Sequence, residues 1–100
     1  MTYRLNPVHP GEILAEEFLT PLGISAYRLA KEVGISEPRA YALARGARGI
    51  TADTALRFAR FFGTSPEFWM NLQSHYDLEM AREAASETDL ATIKPFAKAG

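Results

Sequence analysis

The chain has 100 residues, 47 % of them hydrophobic, with 11 Lys and Arg against 12 Asp and Glu and no cysteine. That length is one domain with a single core and little room for a deep cleft, and the composition excludes a disordered chain. Without cysteine there is no disulfide framework, thiol nucleophile, Cys-based zinc site or iron–sulfur cluster, so the domain fits the cytoplasm or gains stability by oligomerising.

Proline and glycine divide the sequence. Pro7, Pro10 and Gly11 precede the first helical pattern. Helix 1 begins near Pro10, with Ile13, Leu14, Phe18 and Leu22 at helical spacing. Thr20-Pro21-Leu22-Gly23 is expected to end it, because a residue before proline resists the α region. Ser25 is a good N-cap for helix 2, residues 26–33, whose buried face reads Leu29, Ala30 and Val33. Gly34 suits a left-handed helix end, and Ile35 follows as a core plug. Ser36 caps helix 3, which carries Glu37 and Pro38 in its first turn and runs to about Arg45 before Gly46. Thr51 opens helix 4, with Ala55, Leu56, Ala59 and Phe62 on one face and Gly63 at its end. Helix 5, residues 66–85, starts in one of two ways. Either Ser65 caps it with Pro66 at the first position, or Thr64 and Glu67 form a capping box. Residues 86–100 read as a tail with Leu90, Ile93 and Phe96 as its only anchors. No strand alternation appears, so the fold class is all-α with five helices and one domain over residues 1–85. Uncharged runs such as 19–27 are too short for a bilayer, and residues 1–10 do not read as a signal peptide.

The functional pattern lies in residues 25–46. Two short helices meeting at Gly34 form a helix-turn-helix pattern, whose DNA-binding version places the second helix in the major groove. Residues 25–48 hold five basic and two acidic residues, a local charge of +3; residues 64–100 hold three basic and six acidic, −3. The near-neutral total therefore conceals a basic head, which is where phosphate contact needs it. In helix 3, Ala40 and Leu43 face the core, leaving Glu37, Pro38, Arg39, Tyr41 and Ala42 outside. Arg39 is the candidate for a bidentate contact to guanine, and Ala42 or Pro38 for a thymine methyl. Ser36 offers a hydroxyl to a phosphate or base, as the first amides of helices 2 and 3 offer their N–H groups. Arg45 and Arg48 read as backbone clamps. The plainer readings are a generic helical hairpin, a solvated Arg39 and a Tyr41 packed on a neighbour.

Helix 5 holds more apolar surface than one face buries, which predicts a homodimer through Trp69, Met70, Leu72, Tyr76 and Met80. Ser74, His75 and Asp77 are neighbours on one helix and make no triad. His9 and Glu12 are two candidate ligands, too few for a metal site. The sequence implies no enzyme, metal or cofactor.

These elements resemble the HigA family of antitoxins, within the Xre/Cro-like repressors. The resemblance rests on His9-Pro10-Gly11-Glu12-Ile13-Leu14, Glu17-Phe18-Leu19 and Tyr27-Arg28-Leu29-Ala30. It continues through Arg45-Gly46-Ala47-Arg48-Gly49-Ile50-Thr51-Ala52-Asp53-Thr54-Ala55-Leu56-Arg57 and Phe62-Gly63-Thr64-Ser65-Pro66-Glu67-Phe68-Trp69-Met70-Asn71-Leu72-Gln73. It implies a five-helix Cro- or lambda-repressor-like homodimer that binds operator DNA and represses its own operon. It implies a protein partner too, a HigB-like toxin of the RelE type that cleaves mRNA. Base contacts carry over to Ser36, Glu37, Pro38, Arg39 and Ala42. Relatives place a long polar residue where Glu37 and Pro38 stand, and a phosphate-binding Gln where this chain has Ala26, which leaves Tyr27 or the helix amides for that role. Two alternatives remain open, a stand-alone repressor and a toxin-binding module without DNA binding. The sequence does not place the toxin contact; residues 1–14 and 86–100 are both open candidates for it.

Overall fold

The structure is a computed structural model and describes residues 7–85 and 87–97. The remaining positions of the two segments considered for toxin contact, 1–6, 86 and 98–100, lie outside the described residues. Every regular element among the described residues is helical. The first run is α-helical at Pro10–Ile13, π-helical at Leu14–Leu19 and α-helical at Thr20–Leu22; together these form α1. α2 is Ala26–Val33, α3 Glu37–Ala44, α4 Ala52–Phe62, α5 Pro66–Ala84 and α6 Glu87–Ala91.

Short polar side chains set the helix starts. Ser25, Ser36, Thr51 and Ser65 accept the backbone N–H of Arg28, Arg39, Thr54 and Phe68, each satisfying one donor of a first turn. Ser65 is thus the cap of α5, and the Thr64/Glu67 box is not used. Thr64 Oγ1 instead accepts the indole N–H of Trp69 at 2.8 Å.

Three expectations are corrected by packing. Helix 1 does end within Thr20-Pro21-Leu22-Gly23, at Leu22 with Gly23 closing it, but not because Thr20 leaves the α region: Thr20 is helical although it precedes Pro21. The Thr20 N–H reaches back five residues to the Ala15 carbonyl, and Pro21 has no N–H to place. An α-helix would set Leu14 and Leu19 about 140° apart. Five residues make roughly one π-helical turn, so both are buried on one face while Leu22 is exposed. On α4 the buried stripe contains Ala55, Phe58 and Ala59, with Phe62 half-buried, an i, i+3, i+4, i+7 series. Leu56, one position off that stripe, is 59 % exposed. In the tail, α6 replaces irregular chain, and the expected anchors Leu90, Ile93 and Phe96 are all exposed, Phe96 at 88 %.

Trp69 sits at the centre of the core with no exposed surface. Its ring lies 5.0 Å from Phe18, 5.1 Å from Phe58 and 5.8 Å from Phe62, centroid to centroid. Leu14, Leu29, Val33, Leu43 and Ile50 complete the same cluster. α2 meets α3 through Ala26, Ala30 and Ala40, small side chains that let two helices approach closely. α1 packs on α3 and α4 on α2, and α5 packs on both α1 and α4, so three helices support the helix-turn-helix from behind. No described helix is long and apolar enough to cross a membrane.

Candidate nucleic-acid interface

The turn between α2 and α3 is fixed at Gly34. Its φ of 76° is left-handed, and the N–H groups of Gly34 and Ile35 both return to the Ala30 carbonyl, at 2.9 and 3.1 Å. Arg57 of α4 covers the same spot. Its Nη1 donates to the Val33 carbonyl at 2.8 Å and its Nε to Asp53 at 2.8 Å. A Cβ on Gly34 would stand 3.1 Å from that guanidinium. Arg57 went unread in the sequence, where the only signal was an Asp53/Arg57 pair at helical spacing.

The start of α3 presents Ser36, Glu37 and Pro38, all exposed. Arg39 does not stand free beside them. Its Nη2 donates to Thr51 Oγ1 at 3.0 Å and to Thr54 Oγ1 at 2.7 Å, and Thr54 is fully buried. The expected base-reading guanidinium is therefore a tether from α3 to the first turn of α4. Ala42 is also corrected: it is 7 % exposed rather than outward. The chain after α3 folds back, with the Ala47 N–H on the Ala42 carbonyl at 2.8 Å, and covers that side. Tyr41 points outward rather than packing on a neighbour.

Other named residues keep free surfaces. Arg45 and Arg48 are exposed, and their side chains make no hydrogen bond or ion pair with the described residues. Tyr27 is exposed, with the Lys31 ammonium 5.2 Å from its ring centroid. The first turns of α2 and α3 differ in donors. In α2, Ser25 takes the Arg28 N–H and leaves those of Ala26 and Tyr27 free. In α3, Ser36 takes the Arg39 N–H and Pro38 has none, leaving Glu37 alone.

Two contacts hold the end of α3 and its following loop. Gln73 Oε1 accepts the Ile50 N–H at 2.6 Å, and Gln73 Nε2 donates to Asp77 at 2.9 Å. His9 Nδ1 accepts the Gly11 N–H at 2.8 Å, capping α1, and the ring stands edge-on to Tyr76 at 4.7 Å. Gly11 needs to be glycine because a Cβ there would run into the Leu43 carbonyl. Burial pulls the His9 pKa below 6.5, opposed by the negative charge of Asp77. His9 and Glu12 form no metal cluster, and among the described residues no group of three or more acidic or histidine side chains does. Asp77 is engaged by Gln73 rather than by His75.

The residues assigned to a dimer surface divide. Trp69 is corrected to the core, because its ring is enclosed by Phe18, Phe58 and Phe62. Leu72 packs half-buried on that core, and Tyr76 half-buried on His9. Met70 and Met80 remain exposed.

The helix-turn-helix family model matches residues 16–69. Virulence-associated protein I of Dichelobacter nodosus is 53 % identical over 76 residues, covering 76 % of this chain and 70 % of that protein. The structure of an addiction module antidote protein of a HigA family from Coxiella burnetii is 50 % identical, with a TM-score of 0.85 over 92 % of this chain and 100 % of that one. The chain belongs to the HigA family. A Pseudomonas aeruginosa antitoxin HigA solved with the higBA promoter is similar to this HigA-family chain, with a TM-score of 0.86 and 45 % identity over 91 % of this chain and 99 % of that one. The span matched in this HigA-family chain, 16–69, contains α2, the turn, α3 and both tethers from α4.

Proposed function

We propose that the chain is an operator-binding antitoxin. It binds DNA as a homodimer, represses the operon that encodes it and neutralises a HigB-like mRNA-cleaving toxin in the cytoplasm. The observation that carries this reading is the likeness, at 45 % identity, to an antitoxin HigA solved with its promoter. The surface agrees with it. The exposed start of α3 enters the major groove, as recognition helices do. Arg45 and Arg48 clamp phosphates from beyond its other end. Tyr27 and the free amides of α2 hold a phosphate at the helix start. A second copy supplies the second half-site, one helical turn of about 34 Å away. The acidic third, residues 64–100 at −3, offers a basic toxin a complementary surface.

A mobility-shift titration with the DNA upstream of the gene, at several salt concentrations, tests the DNA arm. Binding that weakens steeply with salt is expected, and Arg48→Ala lowers affinity for all sequences and reduces the salt slope by about one. No shift at low salt leaves a toxin-binding module without DNA contact. Co-purification with the product of a neighbouring basic reading frame tests the toxin arm; a shift without such a partner leaves a stand-alone repressor.

A further inference from the structure

We propose that Glu37 is a specificity-determining residue that reads cytosine in the major groove. This assignment rests on the operator-binding reading above. Glu37 is the first residue of α3, is exposed, and its carboxylate makes no hydrogen bond or ion pair with the described residues. The start of α3 is an acceptor end, unlike that of most phosphate-binding helices. Pro38 has no N–H, Ser36 occupies that of Arg39, and the Arg39 guanidinium is tied to Thr51 and Thr54. A phosphate finds few donors there and meets a carboxylate.

A carboxylate carried into the groove loses water and needs a donor in return. The edges of the base pairs decide which. Guanine shows two acceptors, N7 and O6, and thymine an acceptor and a methyl group. Adenine shows its N6 amine beside an N7 acceptor, which repels a carboxylate. The cytosine N4 amine has an acceptor on one side only, the O6 of its paired guanine, and a C5–H on the other, whereas adenine N6 lies between its own N7 and the thymine O4. Cytosine is therefore the base that Glu37 accepts from. Pro38 fixes the backbone beside Glu37, so the carboxylate enters from a rigid turn.

Selection from randomised duplexes with the full chain tests this. The wild type is expected to enrich cytosine at one position in each half-site. Glu37→Ala loses that preference alone, a fall in discrimination of about five- to a hundredfold at that position. Glu37→Gln moves the preference to adenine, since an amide pairs with N6 and N7 together. N4-methylation of the selected cytosine weakens the wild type and leaves Glu37→Ala unaffected. Circular dichroism confirms that both variants fold, as an exposed position allows. If Glu37→Ala selects the same bases as wild type and binds every duplex more tightly, Glu37 only repels phosphate and the assignment fails. A wild type that selects no sequence overturns the operator-binding reading, and Glu37 falls with it.

Discussion

At Arg39, a side chain that looks built for a base edge is instead engaged with its own protein. Removing it leaves the buried Thr54 hydroxyl with only Thr51 as partner, at 3.1 Å. Arg39→Ala is expected to lower stability by about 1–2 kcal/mol and to weaken operator binding. Thr54→Val separates the causes. If Arg39 acts by positioning α3, the valine variant loses operator affinity although its arginine is intact; full affinity returns Arg39 to direct reading. Gln73→Leu is a second case. It strands the buried Ile50 N–H and should cost about 1–3 kcal/mol in urea unfolding. The sequence declared its caps openly, because Ser25, Ser36 and Ser65 each act on an amide three residues on. Arg39 and Gln73 were not legible, since their partners lie 15 and 23 residues away and only the fold brings them together.

Among the elements, α2 and α3 followed their expected boundaries because each has a capping serine and an end that forces the chain out of the helix. Faces were less legible than boundaries. One residue is about 100° on a helix, so Ala42 and Leu56 were each misplaced by a single step. α1 was misread for a different reason: its π turn shifts the apolar register without any local marker. Its start also carries a pH response. His9 caps α1 with an unprotonated Nδ1, and burial lowers its pKa relative to the unfolded chain. The unfolded state then takes up the proton first as pH falls, so stability declines through 6.5 and levels once folded His9 is protonated. Thermal melts between pH 7.5 and 5.5 should show this fall. His9→Asn, which caps without titrating, should lose that part of it.

The whole molecule is elongated, 55 × 32 × 25 Å. The core claims Trp69, while Met70 and Met80 of α5 stay exposed and are the part of the expected interface still available to the proposed dimer. Met70→Asp and Met80→Asp should dissociate the dimer in light scattering without unfolding it. Unaltered dimers would move the interface to another surface, such as exposed Leu90, Ile93 and Phe96. The π turn of α1 sets how this chain tolerates insertions and deletions. A π turn holds one residue more than the α-helix it interrupts. Losing any one of residues 14–19 lets α1 close as ordinary α-helix up to Pro21, so its own backbone suffers little. The flanks keep their faces, because four α-helical residues turn the chain about as far as five π-helical ones. His9 stays on Tyr76 and Gly11 on the Leu43 carbonyl. A single-codon deletion inside the π turn is therefore absorbed there, whereas one in the middle of α4, which has no spare residue, turns half of its buried stripe by about 100°.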